Sequence, residues 1–215
     1  MSFTTDDGHT YHIDGHTALL EEDPAANTAT MHYDRGTGRQ CGDCQLCCKL
    51  LPIPEQELAK PANQRCKHQH VGKGCGIYKT RPLSCRSWFC RWMADPRAHD
   101  LPRPDRCHYV VDTLLDNIVA TNNETANVTR VPAIQVWVDP AYPHAHRDPR
   151  LRRYLEMMAQ MFGYTTLIRY SESEAFVLAA PRFSGTGKWE EIASAIMAKP
   201  MPRRPPTLIT ERRTP

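Results

Sequence analysis

The stretch CGDCQLCCKL, residues 41–50, places four cysteines in eight positions, and the last two of them are adjacent. A two-residue gap lets both sulfurs of a tight turn converge on one metal ion, as in zinc and iron–sulfur sites. Cys41, Cys44 and Cys47 keep this spacing. Cys48 breaks it, because adjacent side chains diverge by about 100° in a helix and point to opposite faces of a strand. The doubled cysteine therefore predicts two neighbouring sites or one site that holds several metal ions.

Four further cysteines follow within CKHQHVGKGCGIYKTRPLSCRSWFC, residues 66–90, and they are Cys66, Cys75, Cys85 and Cys90. Eight thiols match two tetrahedral all-thiolate sites or one or two iron–sulfur clusters. His68 and His70 are either ligands that replace a thiolate or surface residues of a loop. Glycines at positions 72, 74 and 76 surround Cys75. They predict a backbone that bends closely around a neighbouring group.

The ninth cysteine and the N-terminal residues bear on the redox state of the thiols. Cys107 begins a predicted strand, and we expect a buried core thiol there rather than a ninth ligand. The start MSFTTDDGHTYHIDGH is acidic and polar, and the chain has no apolar run of about 18 residues. We therefore expect a cytoplasmic protein without a membrane segment. Cytosolic thiols stay reduced, which favours metal ligation over a disulfide framework.

The net charge of +3 is unevenly distributed along the chain. Counting Lys and Arg against Asp and Glu, residues 1–39 carry −5, residues 40–106 carry +6, residues 107–200 carry −1 and residues 201–215 carry +3. A basic segment can attract nucleic acid. It can also offset metal centres, because a divalent ion with four thiolates has an excess of negative charge. Since the basic residues and the cysteines share one segment, we prefer the second explanation.

Composition divides the chain into four parts and predicts an α+β protein. Residues 1–39 form an irregular N-terminal arm with a short strand near TYHID, and residues 201–215 form a disordered basic tail. Residues 40–106 are a small cysteine-rich metal-binding module, too poor in aliphatic side chains to form a core alone. It packs on an α+β domain, residues 107–200, with an antiparallel or mixed sheet. The Pro-rich stretch 95–106 marks the boundary between them.

Residue periodicity predicts the individual elements. In the module we expect helices over 54–60 and 80–93, the second with Cys85, Trp88, Phe89 and Trp92 on one face. The domain has the order βββαββα. Its strands lie in CHYVVDTLL, NIVAT, AIQVWVD, TTLIRY and EAFVLAA, with a turn near residues 116–117 joining the first two. One helix begins at residues 148–149 and stops at Gly163. The last helix carries Trp189, Ile192, Ala193, Ile196 and Met197.

The cysteine pattern resembles the YkgJ-type cysteine-cluster family, which is described as a zinc- or iron-chelating domain. The family pattern is C-x2-C-x2-C-C, a spaced pair, then Y-x2-R-P-x2-C-R-x-F-x-C. All of its eight cysteines have a counterpart here, namely Cys41, Cys44, Cys47, Cys48, Cys66, Cys75, Cys85 and Cys90. Tyr78, Arg81, Pro82 and Arg86 match as well, whereas the aromatic position after the arginine falls at Trp88 and Phe89.

The resemblance covers about residues 40–92 and implies metal binding by these eight cysteines. A flagellin lysine methylase carries a similar cluster, so such a module can be an accessory part of a protein-modifying enzyme. Arg81 and Arg86 lie close to Cys85 in sequence. Without binding the metal themselves, they can donate hydrogen bonds to its thiolate or sulfide ligands, or they are ordinary solvated arginines.

Three functions remain in competition. The repeated two-residue gaps between Cys41, Cys44 and Cys47 and the nearby aromatic residues favour an iron–sulfur protein. The two groups of four cysteines favour a zinc-stabilised module that binds protein or nucleic acid. Residues 107–200 are slightly acidic and carry no nucleic-acid motif, which argues against nucleic acid. The sequence gives no support to an enzyme such as a protein methyltransferase. No Gly-rich cofactor loop follows a predicted strand, and the C-x3-C-x2-C motif of radical chemistry on S-adenosylmethionine is absent. We expect a protein that chelates either iron, as an iron–sulfur cluster, or zinc. A protein partner or a redox partner is compatible with both.

Overall fold

The computed structural model describes residues 2–4, 10–12, 37–82, 85–86, 88–113, 118–121, 128–184 and 186–192. The strands described are β1 (Ser2–Thr4), β2 (Thr10–His12), β3 (Gln69–His70), β4 (Gly74–Cys75), β5 (Tyr109–Thr113), β6 (Ile118–Thr121), β7 (Val128–Val131), β8 (Ala133–Val138), β9 (Thr165–Arg169), β10 (Ala175–Ala179) and β11 (Glu190–Ile192). The α-helices described are α1 (Leu46–Leu50), α2 (Arg91–Ala94), α3 (Pro104–Cys107) and α4 (Pro149–Phe162). Short 3₁₀ turns cover Tyr78–Thr80, Pro96–Ala98 and Ala145–Arg147.

A five-stranded mixed sheet forms the centre of the fold. Its strand order is β11-β10-β9-β8-β5. The pair β8–β9 is parallel, whereas β5–β8, β9–β10 and β10–β11 are antiparallel. The helix α4 connects the two parallel strands, as a parallel pair requires a crossover. The predicted α+β class with a mixed sheet is confirmed.

One face of this sheet packs against α4. Side chains alternate between the faces of a strand, and Ile134, Val136 and Val138 of β8 share a buried cluster with Leu151 and Leu155 of α4. The helix has the ends that the sequence predicts. The Asp148 side chain accepts a hydrogen bond from the Arg150 N–H at 2.8 Å, and Gly163 ends the helix with φ +69°.

The cysteine-rich segment covers the opposite face of the sheet. Leu46, Leu50 and Cys90 form a second buried cluster with Val110 of β5 and Trp137 of β8. Val110 and Trp137 are direct neighbours across the β5–β8 ladder. The strands β5 and β8 are therefore buried on both faces, and their second face depends on residues of the cysteine-rich segment.

Polar contacts fix the position of this segment on the sheet. Lys49 of α1 forms a salt bridge at 2.6 Å with Asp139, which directly follows β8 and is almost fully buried. The Asn63 side-chain amide donates to the carbonyl of Tyr170 at 2.6 Å, just after β9. The C-terminal ends of the two parallel strands β8 and β9 are thus tied to the segment that carries the cysteines.

Of the two helices predicted for the cysteine-rich segment, the one over 54–60 is wrong, and the one over 80–93 is confirmed only at residues 85–86 and 91–93. Residues 56–58 form a turn, because the backbones of Ile53 and Lys60 hydrogen-bond to each other and close a loop around them. The predicted helix over 80–93 is interrupted at Cys90, which has extended backbone angles of φ −68° and ψ 155° and precedes α2. The Trp88 and Trp92 side chains still pack on the same cluster, so their spacing reflects burial rather than one continuous helix.

In the α+β domain the predicted strands form. The first of them, β5, pairs with β8, and the second, β6, pairs with the unpredicted β7. The turn predicted near residues 116–117 lies outside the described residues. The last predicted helix is wrong at its start, because residues Glu190–Ile192 form β11. Ala193, Ile196 and Met197 lie outside the described residues. Near TYHID the predicted strand is confirmed as β2, paired with β1. Within the described ranges, no helix combines the length and the apolar character that a membrane crossing requires.

Candidate metal centre

The first cysteines lie on a tight turn followed by a short helix. The Cys44 N–H donates to the Cys41 carbonyl at 2.9 Å, and Gly42 inside this turn has φ +53°, which glycine adopts without strain. The chain then enters α1, which carries Cys47 and Cys48. Leu46 and Leu50 of the same helix are buried against the sheet. Their burial fixes the rotation of α1 and thereby the directions of the two adjacent thiols.

A small hairpin brings the next two cysteines to this helix. The Cys66 N–H donates to the Cys48 carbonyl at 3.1 Å. Beyond it β3 pairs with β4, so that Gln69 lies opposite Cys75. A Cβ on Gly74 would approach the Gly42 carbonyl oxygen to 2.8 Å, and a Cβ on Gly76 would collide with the ring of His70. The close approach predicted for the three glycines is confirmed at Gly74 and Gly76, where the neighbouring groups are the 41–44 turn and His70, but not at Gly72, which has nothing within 4 Å of an added Cβ.

Gln45 joins the turn to the hairpin and was not singled out from the sequence. Its side chain is buried, and its amide nitrogen donates to the carbonyls of His70 and of Gly74, the latter at 3.1 Å. Its amide oxygen accepts a hydrogen bond from the Gln69 side chain at 2.7 Å. The burial of this glutamine could not be predicted from the neighbouring residues, because its hydrogen-bond partners belong to a segment distant in the sequence.

Eight cysteines from this turn, the helix, the hairpin and the segment before α2 line one cavity of about 110 Å³. They are Cys41, Cys44, Cys47, Cys48, Cys66, Cys75, Cys85 and Cys90. Trp88, Phe89, Trp92 and Met93 line the same cavity. The predicted ligands are thus brought together, and the aromatic residues form part of the wall that separates them from water.

The ninth cysteine lies elsewhere. Cys107 ends α3, packs against the core between the sheet and α4, and lies 3.6–3.7 Å from the carbonyls of Pro102, Pro104 and Tyr109. Burial raises the pKa of its thiol to about 12. These contacts agree with a core thiol. His68 and His70 do not line the thiol cavity either.

The cavity disfavours ionised thiols in the absence of a positive charge. Burial raises the pKa of Cys41 and Cys75, that of Cys44 to about 11 and that of Cys90 to about 12. Cys47 and Cys48 share a hydrogen bond that raises the pKa of the first thiol and lowers that of the second. A bound metal cation removes this penalty, because it replaces the thiol protons with positive charge.

Lys60 is a buried cation beside the thiols that the sequence analysis did not identify. Its ammonium donates to the carbonyls of Leu51, Lys49 and Pro61, the last two at 3.4 Å, and only 8% of the residue is exposed. Burial lowers its pKa, and the nearby Cys48 counteracts this shift. Lys60 therefore both binds carbonyls at the C-terminal end of α1 and offsets negative charge in the cavity.

The two motif arginines lie in different places. Arg81 lines the thiol cavity, its guanidinium carbon lies 3.7 Å from the centre of the Tyr78 ring, and its Nε donates to the Tyr78 carbonyl at 2.9 Å. Arg86 is exposed and lines an adjacent open cavity of about 420 Å³, which Arg81 borders as well. Arg81 thus lies between the thiols and this second cavity, whereas Arg86 lines the second cavity and not the thiol cavity.

The residues of the thiol cavity fit a metal centre in their chemistry. Soft thiolates select zinc, copper(I) and iron–sulfur clusters. The indole N–H of Trp88, which lines the same cavity, is buried and has no hydrogen-bond acceptor among the described residues. Across the described ranges, however, no three Cys, His, Asp or Glu side chains converge closely enough to hold one metal ion. The sulfurs are distributed around the cavity wall rather than gathered at a point.

Comparison with protein-family models, with curated proteins and with solved structures finds no match to this chain. The resemblance of residues 40–92 to the YkgJ-type family therefore rests on the cysteine motif and stays a prediction.

Proposed function

We propose that the protein binds metal through its eight clustered cysteines and holds iron, as an iron–sulfur cluster, or zinc. One observation carries this proposal. Cysteines from the 41–44 turn, α1, the hairpin and the segment before α2 line a single cavity of about 110 Å³, while the ninth cysteine lies outside it. A structural core has no need of eight thiols in one place, because cysteine packs only as a small apolar residue.

The electrostatics of the cavity support the same proposal. Buried thiols become thiolates only where a cation compensates them, and Lys60 and Arg81 supply part of that compensation. We favour iron–sulfur over zinc, because the 41/44/47 spacing and the aromatic wall are typical of buried clusters. When bound, such a cluster supplies one-electron transfer, whereas zinc ligated by thiolates stabilises the fold.

A second candidate function follows from the open cavity next to the thiols. It is lined by Arg81, Arg86, His68, Thr80 and Glu57, among others. Neither guanidinium forms an ion pair with a carboxylate of the described residues. Two unpaired arginines suit a small anionic ligand, a phosphate or a carboxylate. The chain would then be part of an enzyme that binds this ligand beside the metal.

Serine substitution tests the metal-binding proposal. Cys44→Ser and Cys75→Ser each remove a thiol of the cavity, and we expect both variants to contain less metal and to unfold more easily. Cys107→Ser is the matched control, since its thiol packs against the core outside the cavity, and we expect this variant to keep its metal. Full metal content in both cavity variants would refute the proposal.

A further inference from the structure

We infer that the open cavity beside the thiols is the centre of a docking surface that receives a carboxylate-rich segment of a partner protein. The surface consists of this cavity and of four cations around it, Lys67, Lys79, Arg81 and Arg86, and we call it the basic face. The inference rests on the small anionic ligand proposed above as a second function, and it names the source of that anion. It does not depend on which metal the cysteines hold.

The chain around the cavity carries an unbalanced positive charge. Between residues 58 and 94 the sequence contains eight Lys and Arg but no Asp or Glu, whereas protein surfaces usually mix both signs. Six of these cations are exposed or half-buried and form no ion pair with a carboxylate of the described residues, namely Arg65, Lys67, Lys73, Lys79, Arg81 and Arg86. An acidic ligand from outside the chain can therefore neutralise them.

The four cations of the basic face surround the open cavity. Arg81 and Arg86 line it directly. The Nζ of Lys67 lies 3.4 Å from the carbonyl of Glu57, which also borders the cavity. Lys79 belongs to the 3₁₀ turn whose last residue lines the cavity. Among the described residues that line it, Glu57 is the one carboxylate, so four positive charges stand against one negative charge.

The cavity combines an apolar wall with this charged rim. Leu58, Ile77 and Pro82 contribute apolar surface to a volume of about 420 Å³, which lies within the range of about 300–1,000 Å³ that ligand pockets occupy. An apolar centre inside a polar rim is the usual arrangement of a surface that binds another protein. A glutamate or aspartate side chain of a partner can place its methylene groups on this wall and its carboxylate between Arg81 and Arg86.

The aromatic residues argue for a protein partner rather than a nucleic acid. Single-stranded nucleic acid is held largely by bases that stack on aromatic rings. Residues 65–86 contain a single Phe, Trp or Tyr residue, Tyr78. The guanidinium carbon of Arg81 lies 3.7 Å from the centre of its ring, so one face of the ring is closed to a base. The basic face thus offers charge without a stacking platform.

The basic face adjoins the thiols. Leu58, Ile77 and Arg81 line both the open cavity and the thiol cavity. A partner segment in the open cavity would therefore be separated from the thiols by these side chains. This position suits a protein that exchanges electrons with the metal centre of the proposed function.

Calorimetry of the full chain with a peptide of consecutive glutamates tests the inference, and succinate and a thymidine oligonucleotide of equal charge serve as comparisons. The peptide should bind more tightly than succinate, and added salt should weaken it, because Lys67 and Lys79 attract its further carboxylates. The double variant Lys67→Gln with Lys79→Gln should bind the peptide at least about threefold more weakly. It should bind succinate normally, since neither lysine lines the cavity.

The matched control removes the same charge elsewhere. Arg150 and Arg153 are exposed on α4, which packs on the other face of the sheet. The double variant Arg150→Gln with Arg153→Gln should bind the peptide as the unsubstituted chain does. Equal weakening by the two double variants would overturn the inference, because net charge alone would then explain binding.

The remaining outcomes separate the docking surface from the proposed functions. A peptide that binds no more tightly than succinate, or an oligonucleotide that binds more tightly than the peptide, would overturn the docking of an acidic protein segment. Binding of phosphate without binding of succinate or peptide would also overturn it, but would keep the small anionic ligand. Metal content should be the same in all of these variants, so the metal-binding proposal is judged independently.

Discussion

The backbone of Gly74 lies directly against the carbonyl oxygen of Gly42, so close that a Cβ on Gly74 would approach this oxygen to 2.8 Å. Gly74 also has φ +92°, a conformation that side chains with a Cβ rarely adopt. The contact places the hairpin of Cys66 and Cys75 on the turn of Cys41 and Cys44. Together with the hydrogen bonds of Gln45, it holds the two groups of thiols around one cavity.

We expect Gly74→Ala to destabilise the protein and to lower its metal content. The left-handed backbone alone costs about 1–2 kcal/mol, and the clash with the Gly42 carbonyl adds to this cost because a backbone atom has to move. Gly72→Ala is the control. It has φ +71° but nothing within 4 Å of its added Cβ, so it should show only the conformational cost and keep its metal. Denaturant unfolding measures the loss of stability, and metal analysis measures the loss of metal. If Gly74→Ala and Gly72→Ala lost the same stability and the same amount of metal, the close contact between Gly74 and the Gly42 carbonyl would be contradicted.

Lys60→Met should lower the free energy of unfolding by about 1–3 kcal/mol, because the carbonyl of Leu51 loses the ammonium that it binds in a buried place. The thiols also lose a cation, so metal should dissociate more readily in the presence of a chelator. Lys67→Met is the control, since Lys67 is exposed and donates only to the Glu57 carbonyl at 3.4 Å. If both variants released metal at the rate of the unsubstituted chain, Lys60 would have no electrostatic role.

The parts of the fold that follow from local sequence were predictable. The strands Ala133–Val138 and Thr165–Arg169 show β-rich apolar runs, and α4 has an apolar face between Asp148 and Gly163. The failures arise from contacts distant in sequence. The strand β5 pairs with β8 rather than with its neighbour β6, and no local pattern encodes that choice.

The ligands of the candidate site were predictable from the sequence, but the residues that hold these ligands in place were not. Cysteine spacing indicated all eight thiols that line the cavity. The supporting residues Gln45 and Lys60 could not be found in this way, because their burial depends on carbonyls of other segments. The helix predicted through Cys90 failed for a related reason, since the chain bends there to bring this thiol into the cavity and onto the sheet.

Asp95 provides a pH-dependent test of how the segment after Cys90 is attached. Burial opposes its ionisation, but hydrogen bonds from Arg97 at 2.7 Å and from the Tyr154 hydroxyl at 2.9 Å outweigh burial and lower its pKa. Its contribution to stability is therefore present above the unfolded pKa of about 4 and is lost as the pH falls through the folded pKa. Asp95→Asn should thus be less stable than the unsubstituted chain at pH 7, by about 1–3 kcal/mol.

That difference should shrink as the pH is lowered below about 4, the ordinary pKa of an aspartate. Denaturant unfolding at several pH values measures it. Asp100→Asn is the control. Asp100 is exposed, and its carboxylate makes only long contacts, at 3.6 Å with Arg153 and at 3.9 Å with His99, so the effect of this substitution should be small at every pH. A difference between Asp95→Asn and the unsubstituted chain that does not change with pH would refute the role of the Asp95 charge.

Arg86→Gln tests the small anionic ligand proposed for the open cavity. Calorimetry with inorganic phosphate and with succinate distinguishes a phosphate from a carboxylate ligand. The variant should bind the preferred anion at least about tenfold more weakly, since a hydrogen bond to a charged group contributes about 1.5–3 kcal/mol. Its metal content should not change, because Arg86 does not line the thiol cavity. The control Arg65→Gln, exposed and outside this cavity, should bind normally. If the unsubstituted chain showed no saturable binding of phosphate or succinate, both anions would be excluded as ligands.

The most direct test of metal binding is an assay of iron, zinc and acid-labile sulfide in the full chain purified without oxygen, together with its visible absorption. We predict a brown protein that contains iron and sulfide. Zinc without sulfide would keep the thiol site and replace the cluster by zinc ions. A folded protein with neither metal, in which all nine thiols react as free cysteines, would contradict the central claim that the eight cavity cysteines are metal ligands.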